Sequence, residues 1–81
     1  MEQLSKEMTL TELPIGEQAR VVSVRGESVI ARRLMEMGLV PGVSVEKVKT
    51  APFGDPMEIR IRGYSLALRR NEAEAIEIVR S

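Results

Sequence analysis

SVIARRLMEMGLVPGVSVEKVKTAPFGDPMEIRIRGYSLALRRNEAEAIEIV, residues Ser28 to Val79, changes period once, from helical spacing to strand spacing. Ser28 is an N-cap residue type, its hydroxyl suited to accept from a free backbone N–H of the first turn. At about 100° per residue, Ile30, Ala31, Leu34, Met35 and Met37 fall in one arc of the helical wheel. Arg32, Arg33 and Glu36 fall in the opposite arc, joined there by the apolar Val29. Gly38 predicts a left-handed stop with Leu39 folded back onto Leu34, and Pro41-Gly42 prevents any continuation.

From Val43 onward the apolar residues alternate. Val43 and Val45 share a face, Val48 is out of phase with them, and a bulge near Glu46-Lys47 is expected. Ala51 to Pro56 reads as a proline-bounded loop. Met57, Ile59 and Ile61 then alternate with Glu58, Arg60 and Arg62, the pattern of a half-buried antiparallel strand. Gly63-Tyr64 predicts a two-residue turn, followed by a return strand with Leu66 and Leu68 inside. Asn71 to Ala73 reads as one capped helical turn, and Ile76 and Ile78 supply a last strand.

Upstream, Glu17 to Val24 reads as a strand buried in part on both faces, because Val21 and Val22 are adjacent. Pro14-Ile15-Gly16 makes a turn, and Leu10 and Leu13 are the first residues expected to pack. Residues 1–7 are polar and read as a flexible N-terminus, leaving 8–81 as one domain. A single α-helix and about five antiparallel strands in so short a chain predict a mainly β (α+β), strongly bent small barrel. The helix follows the first strand, and a short helical turn precedes the last.

The order and spacing of several short pieces narrow this further. Arg33-Leu34, Met37-Gly38-Leu39, Pro41-Gly42, Ala51-Pro52, Gly54-Asp55-Pro56, Gly63, Leu66 to Arg69, Glu72-Ala73 and Ile76 together resemble the FeoA (ferrous iron transport protein A) family. The resemblance extends from about Met8 onward and implies an SH3-like barrel. It also implies a cytosolic accessory of ferrous iron uptake, with the cytoplasmic G-protein part of an iron permease as its partner. Related domains stand at the C-terminus of iron-dependent repressors, beside a DNA-binding part that has no counterpart in this sequence.

Composition restricts the chemistry. The 81 residues include neither histidine nor cysteine, so disulfides, thiolate or imidazole metal sites and the usual nucleophile–base pairs are absent together. Gly54 lies in no phosphate-cradling motif, and no enzyme activity is expected. Ferrous iron would have only carboxylates here, and Asp55, Glu58, Glu72, Glu74 and Glu77 follow no ligand spacing. Met35, Met37 and Met57 read as core filler, so neither a resident metal nor a cofactor is expected. A cytoplasmic protein is expected, since the N-terminal residues lack signal-peptide character and the apolar runs are too short to cross a bilayer.

Binding to other molecules is what remains. Arg60, Arg62 and Arg69 can share a solvated face with Lys47 or Lys49, which makes a nucleic-acid-binding barrel one alternative reading. A metal-responsive regulator-type domain is the other, against which the lack of histidine and cysteine stands. Phe53 and Tyr64 are the only aromatics, however, and Glu46 and Glu58 dilute the charge, so nucleic acid is not the expected partner. Two places suit a protein partner: the helix face of Val29, Arg32, Arg33 and Glu36, and the loop that carries Phe53.

Overall fold

Met57, Ile59 and Ile61 are buried while Arg60 is exposed, so the alternation read from the sequence is the alternation of strand β4 (Met57–Ile61). The computed structural model describes residues 8–26 and 28–80, with Ser28 described by its backbone alone. The flexible terminus expected over residues 1–7 and the capping hydroxyl of Ser28 lie outside the described residues.

Among the described residues, six antiparallel strands form one sheet in the order β1-β6-β2-β3-β4-β5. They are β1 (Met8–Thr9), β2 (Gln18–Val24), β3 (Ser44–Thr50), β4, β5 (Tyr64–Leu68) and β6 (Ile76–Arg80). Helix α1 (Ser28–Glu36) follows β2, and the short helix α2 (Arg70–Glu74) precedes β6. The strand missing from the sequence reading is β1. Two residues are too few to show a period, yet Met8 pairs with Ile78 and Thr9 with Glu77. The helix therefore enters after the second strand rather than the first.

The β4–β5 turn also differs from expectation. It consists of Arg62-Gly63, with φ of 49° and 87°, and Tyr64 already pairs with Ile61. Two successive positive φ angles give the turn whose twist matches that of the flanking strands, and Arg62 accepts the left-handed region to provide it. Leu68 is buried as expected, and Leu66 is half-buried.

In β3 the register shifts between Lys47 and Lys49, so the extra residue is Val48, one position beyond the predicted bulge. Before that shift strict alternation holds. Lys47 therefore follows Val45 into the interior, and among the described residues it is the one charged side chain that is buried. A second irregularity, between Val21 and Ser23 of β2, leaves Val22, Ser23 and Val24 half-buried, in line with a strand covered in part on both faces.

The core consists of aliphatic side chains, with Leu10, Leu34, Leu39, Ile59, Leu68, Ile76 and Ile78 fully buried. Leu10 and Leu13 reach it from a 3-10 turn over Leu10–Glu12, whose entry is fixed where the Thr9 N–H donates to Glu12 Oε1 at 3.0 Å. α2 begins in the same way, with the Arg69 N–H donating to Glu72 Oε1 at 2.9 Å. Next to it, the Arg70 N–H donates to Asp55 Oδ1 at 3.0 Å, which ties the 51–56 loop to α2.

α1 closes as predicted. The Leu39 N–H donates to the Leu34 carbonyl at 3.1 Å and the Gly38 N–H to that of Met35 at 3.0 Å, with Gly38 at φ +105°. These two bonds make a Schellman stop. Among the described residues, no helix is long and apolar enough to cross a membrane.

Candidate protein-binding surfaces

The outer face of α1 gathers what the helical wheel predicted. Leu34 points into the core and fixes the rotation of the helix. Val29, Arg32, Arg33 and Glu36 are left outside, lining one shallow open hollow of about 300 Å³. Val29 keeps 76% of its surface exposed, unusual for an aliphatic residue on a helix that has a buried side. Among the described residues neither arginine has an intramolecular ion pair, so both guanidinium forks are available to carboxylates from outside.

Met35 corrects the sequence reading. Expected on the buried arc, it is 41% exposed. It lies about 100° around the wheel from Leu34, past the edge of the sheet's cover. The exposed side of α1 thus carries a second apolar group in addition to Val29.

Phe53, at the tip of the 51–56 loop, is 91% exposed. The two surfaces are separate. The 51–56 loop leads into Met57 at one end of β4, whereas Ile61 at the other end lies beside the stop of α1. Five strand residues set these ends roughly 13 Å apart.

The basic face expected around Arg60 is mixed. Glu46 pairs with Arg60 across β3–β4, and Lys49 pairs with Glu58 through a loose 3.7 Å ion pair. Lys47 is not part of this face. Its side chain is buried, and its Nζ donates to the Thr11 carbonyl at 3.0 Å. The two-residue offset from Val45 was the available signal, masked by the phase change at Val48. Among the described residues no three of His, Cys, Asp or Glu come together to hold a metal ion.

In the sequence Tyr64 reads only as an aromatic and a turn residue. Its hydroxyl donates to the Met37 carbonyl at 2.6 Å, so the end of α1 is bonded to the start of β5.

Burial lowers the Lys47 pKa below the ordinary lysine value, because desolvation penalises the ammonium. The unfolded chain therefore holds that proton more tightly than the folded one. It follows that stability rises with pH between the lowered folded value and that of an unfolded lysine, and below this window the penalty is fully present. Urea unfolding at a series of alkaline pH values should show the stability of wild type relative to Lys47→Met increasing across the window. A pH-independent difference would rule out a desolvated ammonium at this position.

Comparison with known proteins agrees with this architecture. Residues 8–80 match the FeoA domain. A fusion of Fe(2+) transport protein A with the Fe(2+) transporter FeoB from Porphyromonas gingivalis is 44% identical over 71 residues, 88% of this chain. The chain spans only 8% of that fusion's length. The solution structure of the FeoA protein from Chlorobium tepidum superposes with a TM-score of 0.84 at 45% identity, covering 90% of this chain and 70% of that one. A zinc complex of Stenotrophomonas maltophilia FeoA, described as a procaryotic SH3 domain protein, superposes at 0.77 with 39% identity and 88% coverage of each chain. An SH3-like sheet, a helix closed at Gly38 and a family match over every described residue lead to one assignment: this chain belongs to the FeoA domain family.

Proposed function

We propose that this chain is a non-enzymatic cytoplasmic accessory of ferrous iron uptake that docks on the cytoplasmic G-protein part of an iron permease through the outer face of α1. The observation that carries the proposal is the hollow formed by Val29, Arg32, Arg33 and Glu36 on a helix whose opposite side is anchored by Leu34. Two guanidinium forks around an exposed aliphatic patch suit a partner surface with carboxylates around an apolar knob. The Porphyromonas gingivalis relative, in which the corresponding domain and the FeoB transporter are one polypeptide, supports association with the permease.

A stable interface covers about 800 Å² on each partner, more than one turn or two of helix provides. Phe53, at the other end of β4, supplies a second anchor, and a partner that contacts both must extend along the barrel. Mechanistically, a protein that binds one conformation of a nucleotide-gated transporter more tightly shifts the transporter toward that conformation, whatever the transport chemistry.

The test is calorimetric titration of the full chain into the cytoplasmic G-protein portion of the cognate permease, with GDP and with a non-hydrolysable GTP analogue. Binding is expected to differ between the two states. Arg32→Glu with Arg33→Glu should weaken it by on the order of 30-fold or more, as for paired hot-spot residues. Phe53→Ala should weaken it by about tenfold. Absence of heat in both nucleotide states, or affinities unchanged by all three substitutions, would refute the docking surface.

A further inference from the structure

Lys47 occupies a position that strand alternation reserves for an apolar side chain, and only 5% of its surface is exposed. A desolvated ammonium is costly unless it is paired. Its one protein hydrogen bond among the described residues goes to the Thr11 carbonyl at 3.0 Å, which uses one of three N–H donors. The side chain borders a hollow of about 280 Å³ between the 3-10 turn, β3, the 51–56 loop and α2. Thr11, Thr50, Gly54, Arg70 and Glu74 line the same hollow.

Arg70 is the second cation here. Its backbone is held by Asp55, and its Nη2 lies 3.1 Å from where a Cβ on Gly54 would stand. With φ at +83°, Gly54 also holds a backbone conformation that side chains disfavour, so glycine leaves the guanidinium its place at the rim. Among the described residues neither cation is within ion-pair distance of a carboxylate. The lining holds two positive groups, Lys47 and Arg70, against one negative group, Glu74, a surplus of one positive charge.

We propose that this hollow is a socket for one carboxylate group, gripped by the Lys47 ammonium at its base and the Arg70 guanidinium at its rim. The charge surplus fits a monoanion and disfavours a phosphate dianion, against which Glu74 stands. Thr50, whose side chain carries a neutral donor, is also in the lining. The carboxylate can come from a free small acid or from an acidic side chain of a docked protein. The socket involves no residue of α1, though its Gly54 adjoins Phe53 in the 51–56 loop, so the Arg32 and Arg33 substitutions, rather than Phe53→Ala, separate its fate from that of the docking surface.

The experiment titrates the isotope-labelled full chain with sodium acetate, sodium phosphate and a blocked peptide carrying a single glutamate, each against sodium chloride at equal ionic strength. Acetate is expected to give saturable amide shifts at Thr11, Lys47, Gly54 and Arg70, with a Kd on the order of 1 mM or weaker. Arg70→Ala should weaken it about tenfold, the loss expected for one charge-assisted contact. Lys47→Met should abolish it, while Glu74→Gln should tighten it by removing the competing carboxylate. Should Lys47→Met fail to fold, the two exposed positions still decide the matter. A peptide that binds more tightly than acetate identifies a protein side chain as the source, and equal affinities identify a free acid. Shifts that chloride reproduces, affinities indifferent to Arg70→Ala, or phosphate binding more tightly than acetate would each overturn the proposal.

Discussion

Leu34→Ala is expected to cost about 2–5 kcal/mol, the usual range for emptying a leucine site in a core. The effect should be selective as well as large. Leu34 is the one fully buried side chain of α1 among its described residues, with Ile30 and Ala31 only half-buried beside it. For 81 residues, a total stability of roughly 4–12 kcal/mol is typical, so the loss is a large share of the whole. α1 packs on β2, and its exit is held by the Schellman stop and by the Tyr64 hydroxyl on the Met37 carbonyl. Hydrogen exchange of the variant should therefore show α1 amides opening well before those of β3 and β4. Met35→Ala, on the exposed edge of the same helix, should change the urea midpoint by less than about 0.5 kcal/mol equivalent. Similar losses for the two variants would mean that the helix is rotated from the position described.

The second large effect is expected at Gly38. An alanine there would hold a φ near +105° and place its Cβ 2.6 Å from the Tyr64 hydroxyl and 3.3 Å from Ile61 Cδ1. Left-handed backbone costs a non-glycine residue about 1–2 kcal/mol. Displacing the Tyr64 hydroxyl from the Met37 carbonyl forfeits about 1 kcal/mol more. Gly38→Ala should thus lose about 2–3 kcal/mol in urea unfolding, the sum of the strain and the lost bond. The contact can be isolated by a double-mutant cycle, since Tyr64→Phe removes the atom that the new Cβ meets. In that background the alanine should cost about 1 kcal/mol less than in wild type. Strict additivity would show that strain alone accounts for the loss and that the hydroxyl is no obstacle.

These two positions also show what the sequence reveals and what it conceals. Leu34, Gly38 and Leu39 obey rules confined to one helix and its stop, and the structure reproduces them bond for bond. The alternation of Met57, Ile59 and Ile61 is just as local, and so is the gathering of Val29, Arg32, Arg33 and Glu36 on one helix face. Errors arose where a small event changes phase. Val48 bulges out, so Lys47 stays in phase with Val45 and goes inside. The hairpin turns at Arg62-Gly63, one residue early, because Arg62 accepts a positive φ. Met35 lay at the margin of an arc whose width depends on how far the sheet reaches. The hollow around Lys47 was beyond any window of sequence, because it joins Thr11, Thr50, Gly54 and Arg70 from four separate segments. Such a constellation exists only after long-range pairing has brought those segments together.

The hydrogen bond from Tyr64 to Met37 has an optical consequence. The chain has one tyrosine and no tryptophan, so its tyrosine emission and most of its near-ultraviolet dichroism come from a ring attached to the exit of α1. A loosening of that exit changes this signal at once, while the amide bands of the sheet remain as they were. The isolated chain therefore carries a built-in, label-free reporter on the very segment whose displacement would be hardest to follow by other means.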